Sequence, residues 1–110
     1  MEKAKIQEIK DKLGKFIKVE PIISPRSGEA VRNQYEVRFE NGNLYQSYDT
    51  LIGIRTGGKL YLTISHDCST TTSKYCREWC GYSGEERREG LESGKFVYLV
   101  QDLPTSVRYL

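Results

Sequence analysis

Four side chains of metal-ligating type lie close together in the sequence, between His66 and Cys80. This segment holds the only histidine, all three cysteines and the only tryptophan of the chain. His66, Cys68, Cys76 and Cys80 are all residue types that zinc accepts as ligands. Cys76 and Cys80 are four positions apart, so in a helix they share one face and could reach the same ion. A zinc site is therefore the first chemistry to consider.

The spacing of these residues disfavours zinc. Structural zinc sites favour pairs of ligands separated by two residues, and neither His66-x-Cys68 nor Cys76-x-x-x-Cys80 has that gap. The apolar periodicity of the segment already explains Cys76 and Cys80 as small core residues, since free cysteine is often buried. We predict no metal, and a zinc-stabilised adaptor stays open only as a third alternative.

No other catalytic pattern is present in the sequence. His66 and Cys68 lie two positions apart, but no nucleophile signature surrounds them and no second histidine exists. Gly57-Gly58 lacks the following helix and Lys-Ser/Thr of a phosphate loop. The carboxylates of Glu85, Glu86 and Glu89 fit the solvated face of a helix. We therefore predict that the protein is not an enzyme and needs no cofactor.

A run of five hydroxyl residues, Ser69 to Ser73, is the better candidate for a functional site. Hydroxyls at a helix start cap its free N–H groups, but one cap does not need five. Lys74 and Arg77 follow just inside the helix, so the surplus donors could hold a phosphate or an acidic side chain. The partner-binding residues predicted here are Asp67, Thr70, Thr71, Thr72, Lys74 and Arg77.

A second candidate surface combines basic residues with tyrosines. Arg26 and Arg32 lie in a segment without periodicity, Ser24 to Asn33, which we predict to be a loop. With the N-terminal lysines they could attract a nucleic acid or an acidic partner, although a solvated face is the simpler explanation. Tyr45 and Tyr48 are predicted to be exposed and able to stack on bases.

Composition limits the class of protein. The chain has 110 residues, 37% hydrophobic and 29% charged, and a net charge of only +2, which is low for a dedicated nucleic-acid binder. Its length predicts a single domain over residues 1–110. An odd number of cysteines, a charged N-terminus and no long apolar run indicate a protein with reduced thiols in the cytoplasm and no membrane segment.

Periodicity and turn signals place the secondary structure. Asn41-Gly42 and Gly57-Gly58 are the predicted hairpin turns, the first of which sets Phe39 opposite Leu44. Pro21 places its strand at an edge of the sheet. The predicted helices are Glu2–Leu13, Thr70–Cys80 and a segment from the capping box Ser83/Glu86 to Leu91. The predicted strands are Lys15–Ile23, Gln34–Glu40, its hairpin partner through Tyr48, Leu51–Ile54, Leu60–Ile64 and Phe96–Val100, followed by a short tail from Pro104.

These elements predict an α+β fold. We expect a single antiparallel sheet of five or six strands, with an N-terminal helix and two short helices packed mainly on one face. The sequence does not predict an oligomeric state. The exposed edge strand could support a dimer by strand pairing, but Pro21 and the lysines argue against it.

The central residues resemble a domain of unknown function that occurs in small proteins of bacteriophages, phage-like elements and gut bacteria. The likeness covers about Asn43 to Tyr98 and leaves out the N-terminal helix and first strand. In that pattern, apolar or polar residues stand at the positions of Cys76 and Cys80, which implies that these cysteines replace core residues. The likeness is carried by Tyr45-x-Ser47-Tyr48-x-Thr50-x-Ile52-x-Ile54, Gly58-Lys59-x-Tyr61-Leu62, Asp67-x-Ser69-x-Thr71-Thr72-x-Lys74-Tyr75, Gly81, Glu86 and Gly94.

The resemblance implies a phage-associated protein without catalytic residues. Small phage proteins of this size commonly act by binding, and many oppose host defence. The leading expectation is therefore an anti-CRISPR-type inhibitor that sterically occludes a host protein, a CRISPR-associated nuclease, in the bacterial cytoplasm. The alternative is a small nucleic-acid-binding module.

Overall fold

The computed structural model describes residues 1–100, which form one seven-stranded sheet with helices on both of its faces. A short 3-10 helix, Ile64–Asp67, precedes the second α-helix. The elements, in chain order, are β1 (Lys3–Lys5), α1 (Ile6–Asp11), β2 (Phe16–Ile23), β3 (Ala30–Phe39), β4 (Gly42–Ser47), β5 (Thr50–Thr56), β6 (Lys59–Leu62), α2 (Thr70–Cys80), α3 (Gly84–Ser93) and β7 (Val97–Val100).

The sheet is mixed, and its strand order is β1-β7-β6-β5-β4-β3-β2. Strands β2 to β6 pair with antiparallel neighbours, whereas β7 runs parallel to both β6 and β1. The chain between β6 and β7 contains α2 and α3, and a helical crossover of that length returns the chain parallel to the strand it left. The prediction of five or six antiparallel strands was wrong in both number and direction.

The N-terminal segment forms the one strand of the sheet that the sequence did not predict. Residues Lys3–Lys5, predicted to be helical, pair with Tyr98–Val100, and the Tyr98 N–H donates to the Glu2 carbonyl at 2.8 Å. The helix begins only at Ile6. The predicted apolar stripe is nevertheless real, since Ile6, Ile9 and Leu13 are all buried. Three residues of strand are too short to show a periodicity, so their pairing with β7 decides their conformation.

The first hairpin differs from prediction by a shift of register. Gly42 pairs with Phe39 and Val37 with Leu44, so the turn residues are Glu40 and Asn41. Gly42 lies within the sheet, where a Cβ atom would meet the Arg55 carbonyl oxygen at 2.1 Å. Its lack of a side chain therefore serves close packing against β5 rather than a turn. The shift is by two positions, so each side chain keeps its predicted face.

Other predicted elements hold with small changes. Helix α2 has its predicted bounds, α3 begins directly after the predicted cap residue Ser83, and the Gly57-Gly58 turn joins Thr56 to Lys59. The predicted loop is shorter, because β3 already begins at Ala30. Ile64 is an exposed residue of the 3-10 helix rather than the end of β6. The predicted tail from Pro104 lies outside the described residues.

Two apolar cores lie on opposite faces of the sheet. On the α1 face, Ile6, Ile9 and Leu13 pack on Val37, Leu44, Ile54 and their neighbours. On the α2–α3 face, Cys76, Trp79 and Cys80 of α2 and Leu91 of α3 pack on Tyr45, Ile52 and Leu62. Two of the three helices thus share one face, while α1 lies on the other. No helix within residues 1–100 is long and apolar enough to span a membrane.

Candidate binding groove between α2 and α3

The first turn of α2 uses part of the predicted hydroxyl run for its own structure. Ser69 is the N-cap, and its Oγ accepts a hydrogen bond from the Thr72 N–H at 3.0 Å. The Ser69 hydroxyl also donates to Thr72 Oγ1 at 3.1 Å, and Thr72 is buried. Thr72, predicted to contact a partner, therefore stabilises the helix start. Thr70 and Thr71 remain exposed.

Helix α3 starts beside the first turns of α2. Its capping box is complete: the Glu86 N–H donates to Ser83 Oγ at 3.2 Å, and the Ser83 N–H donates to Glu86 Oε1 at 2.9 Å. This backbone hydrogen bond from Ser83 holds the pKa of the Glu86 carboxyl below its usual range. The cap fixes where α3 begins and therefore which of its side chains point inward.

The inward-pointing side chain nearest this cap is Arg87, which is completely buried. Its guanidinium donates from Nε to His66 Nδ1 at 3.0 Å and from Nη2 to the His66 carbonyl at 3.2 Å. It also donates to Ser73 Oγ at 2.8 Å and to the Tyr82 carbonyl at 2.7 Å. One side chain thus joins the 3-10 helix, α2, the connection after α2 and α3.

All four acceptors of Arg87 are electrically neutral. No carboxylate within residues 1–100 forms an ion pair with it. A buried cation normally pairs with an anion, because hydrogen bonds alone do not cancel its charge. The charge of the buried Arg87 is therefore not offset by a direct ion pair.

His66, the only histidine of the sequence, belongs to this network. It is buried, and burial is the main reason that its pKa lies below its usual range, opposed by nearby Asp67 and reinforced by Arg87 and Arg88. Since Nδ1 accepts from Arg87, the ring proton is on Nε2, which lies 3.8 Å from Asp67 Oδ1. The imidazole acts as a neutral acceptor for the buried guanidinium.

A groove with a volume of about 870 Å³ lies at the surface between α2 and the start of α3, and its lining residues on α2 run from Thr70 to Glu78. Ser73, which accepts from Arg87, forms part of its lining. Its lining carries three cationic side chains and two carboxylates, one of which, Asp67, is paired with Arg88 at 3.0 Å. The groove residues are Asp67, Ser69, Thr70, Ser73, Lys74, Arg77, Glu78, Ser83, Gly84 and Arg88.

The groove brings together four of the predicted partner-binding residues, Asp67, Thr70, Lys74 and Arg77. Thr71 and Tyr48 line an adjacent pocket of about 350 Å³ that shares Ser69 with the groove. Arg26 and Arg32 are exposed on the β2–β3 loop and on β3, and neither lines the groove or this pocket. The predicted surface is thus continuous around α2 but does not include the two arginines.

The prediction that Tyr45 is exposed was wrong. Tyr45 is fully buried, its hydroxyl donates to Gln34 Oε1, and burial raises its pKa. Its ring packs against Trp79, with 5.9 Å between ring centroids. Tyr45 points to the α2–α3 face, which the helices cover. Tyr48 does remain exposed at the β4–β5 turn, with a positive φ of 53°.

The structure does not gather the four metal-ligating side chains into one site. Within residues 1–100, no three histidine, cysteine, aspartate or glutamate side chains could hold a metal ion together. Cys68 is exposed, whereas Cys76 and Cys80 belong to the core of the α2–α3 face. The hydrogen bond between the two helical thiols and their burial raise the pKa of Cys76. Their position in the core agrees with the interpretation of both as core residues.

Arg87 is the residue that sequence reasoning missed. The sequence predicted no role for Arg87 or for its exposed neighbour Arg88. Arg87 precedes buried Leu91 by four residues and Gly90 by three, so helical spacing already places it on the inward face. That register was the available signal, but nothing in the sequence identifies its acceptors.

Comparison with known proteins adds a family but no activity. The chain matches no curated protein and no solved structure. A family model described as a family of unknown function (DUF8033) matches residues 17–95. This match starts earlier than the resemblance noted above, so that it includes nearly all of edge strand β2 as well as the groove. The chain therefore belongs to this family of unknown function.

Proposed function

We propose that the protein is a non-catalytic binding protein whose groove between α2 and α3 docks an acidic surface of a host protein. The observation that carries the proposal is the buried Arg87, which has only neutral acceptors and lies behind groove residue Ser73. Lys74, Arg77 and Arg88 add positive charge at the groove surface. An acidic partner would offset this charge, and the desolvated guanidinium behind the groove would strengthen the attraction between them.

The state of the histidine and thiols supports binding rather than catalysis. His66 is buried and already occupied by Arg87, so it cannot act as a base for a substrate in the groove. Cys76 and Cys80 are core residues, and Cys68 lines the adjacent pocket with Ser and Thr side chains but no imidazole. The groove instead offers hydroxyls and cations on rigid helices, which suits recognition.

The partner we propose is a CRISPR-associated nuclease, which the protein inhibits by steric occlusion in the bacterial cytoplasm. This identity rests on the resemblance of the central residues to small phage proteins, many of which oppose host defence. The geometry contributes a rigid, positively charged surface. Nucleases carry clustered acidic residues at their metal-dependent catalytic centres, and covering such an acidic surface would stop cleavage.

The test is cleavage of target DNA by a panel of purified CRISPR nucleases with and without the protein. The proposal expects one nuclease to be inhibited and to co-purify with the protein. Reversing the groove charge with Lys74→Glu/Arg77→Glu should abolish both effects. The matched control is Lys12→Glu/Lys15→Glu, two exposed lysines beyond the groove, which should leave them unchanged. Normal cleavage across the panel, or full inhibition by the groove variant, would contradict the proposal.

A nucleic-acid-binding module is the second candidate function. The observation in its favour is Tyr48, an aromatic side chain 64% exposed on a tight turn, where it can stack on an unpaired base. The burial of Tyr45 removes the other tyrosine assigned to this role. A gel-shift titration with single-stranded DNA and RNA decides: binding that weakens steeply with salt and with Tyr48→Ala supports it, and no shift at low salt excludes it.

A further inference from the structure

A second concave site lies on the α2–α3 face, away from the groove, at the opposite ends of the two helices. We call it the basic cleft and define it by Arg55, Gly57, Gly58, Lys59, Tyr82 and Lys95. It lies between the β5–β6 turn and the segments that follow α2 and α3, and its volume is about 570 Å³. Pockets of this size are typical of sites for small organic ligands.

All charged side chains that line the basic cleft are positive. Arg55, Lys59 and Lys95 all line it, and no aspartate or glutamate does. Arg55 has a carboxylate partner, Glu36, at 3.6 Å, but neither Lys59 nor Lys95 forms an ion pair within residues 1–100. Three cations around one concave surface focus a positive potential in it. The cleft therefore fits an anion.

The basic cleft also has an aromatic wall and an open backbone turn. Tyr82 packs against Phe96 with 4.8 Å between ring centroids, and Lys95 Nζ lies 5.0 Å from the Tyr82 ring. Opposite, Gly57 and Gly58 have positive φ values of 60° and 74°, and a Cβ at either would meet nothing within 4 Å. An anionic group can therefore approach the turn backbone while a planar group contacts Tyr82.

We propose that the basic cleft binds a nucleoside phosphate. The phosphate lies between Lys59 and Lys95, next to the glycine turn, and the base contacts the Tyr82 ring. Cations and backbone amides recognise phosphate, and an aromatic wall recognises a base with little sequence preference. The nucleoside phosphate is either a free mononucleotide or one unit of a single-stranded nucleic acid. This site is separate from the groove and does not depend on the function proposed for it.

The experiment is a titration of the ¹⁵N-labelled protein, followed by NMR, with adenosine 5′-monophosphate, inorganic phosphate, adenosine and a short oligodeoxyadenylate. The proposal expects the amides of Gly57, Gly58, Lys59 and Lys95 to shift with the monophosphate. Lys59→Glu/Lys95→Glu should weaken binding by about tenfold or more, because two phosphate contacts are lost. The groove variant Lys74→Glu/Arg77→Glu is the matched control and should bind as the wild type does.

The relative affinities of the probes distinguish a free nucleotide from a nucleic acid, and two further outcomes would overturn the proposal. Tighter binding of the monophosphate indicates a free nucleotide, whereas tighter binding of the oligomer with steep salt dependence indicates a nucleic acid. Tyr82→Leu should reduce the ratio of the affinity for the monophosphate to the affinity for inorganic phosphate. Equal binding of these two probes, unaffected by Tyr82→Leu, would overturn the assignment of a nucleoside. No shift at these amides with any probe at millimolar concentration would overturn the site.

Discussion

Within residues 1–100, the α1 face and the α2–α3 face of the sheet each bury ten apolar residues, yet only the second also buries a charged side chain. On the α1 face a helix of six residues, followed by Leu13, covers aliphatic side chains. On the α2–α3 face the apolar core is joined to a hydrogen-bonded network around Arg87. Apolar packing suffices to build the sheet. The polar network goes beyond what covering the sheet requires, and the binding surface that we propose lies on the face that contains it.

Removing the buried charge should have the largest effect on stability. Arg87→Met retains an apolar stem but leaves the His66 ring, two carbonyls and the Ser73 hydroxyl without their donor. Because several buried acceptors lose their hydrogen-bond donor at once, we expect a loss of roughly 4 kcal/mol in the free energy of unfolding, measured by urea denaturation. The control is Arg88→Met, which removes an exposed ion pair and should cost less than about 1 kcal/mol. Equal losses in the two variants would contradict the structural role of Arg87.

A cavity on the α1 face should lower the free energy of unfolding slightly less than the loss of Arg87 does, and it should leave the groove unchanged. Leu13 is fully buried against the sheet, so Leu13→Ala should lower the free energy of unfolding by roughly 3 kcal/mol. Because Leu13 contacts no part of the Arg87 network, the amide shifts of the groove should stay unchanged in NMR spectra of the folded variant. Shifts spread over α2 and α3 would show that the two faces are not independent.

The pH dependence of stability should come from the α2–α3 face. The pKa of folded His66 lies below its usual range, so as the pH falls through about 6.5 the unfolded state takes up a proton before the folded state does. Stability contributed by neutral His66 is therefore complete above that pH and is lost as the pH falls towards the folded pKa. His66→Asn keeps an acceptor for Arg87 without titrating.

Urea denaturation between pH 5 and 7.5 checks this prediction. The wild type should lose more stability than His66→Asn over the acidic half of that range. Parallel curves for the two proteins would mean that the histidine is not buried in its neutral form.

Helices α2 and α3 could be predicted from the sequence more fully than the pairing of strands β1 and β7. Helices α2 and α3 carry their caps and periodicity in adjacent residues: Ser69 and Ser83 mark the starts, Trp79 and Leu91 the buried faces. These local signals placed both helices and four of the ten groove residues. Strand β1 and the parallel direction of β7 depend on pairing between distant residues, which local pattern does not contain.

The same limit applies to single side chains. Tyr45 alternates as an exposed strand residue would, and only the helices over its face make it buried. Arg87 was visible as an inward position, but its acceptors come from three other parts of the chain. The basic cleft is formed by residues from Arg55 to Lys95, so its charge could be seen only in three dimensions.

The central claim is that a buried, hydrogen-bonded Arg87 organises the α2–α3 face, and the most direct test is NMR of the Arg87 and His66 side chains. The account predicts a resolved Arg87 Nε–H signal with slow hydrogen exchange. It also predicts a His66 ring in the tautomer protonated at Nε2, with Nδ1 accepting from Arg87. A rapidly exchanging Arg87 signal, or a His66 ring protonated at Nδ1, would contradict the account.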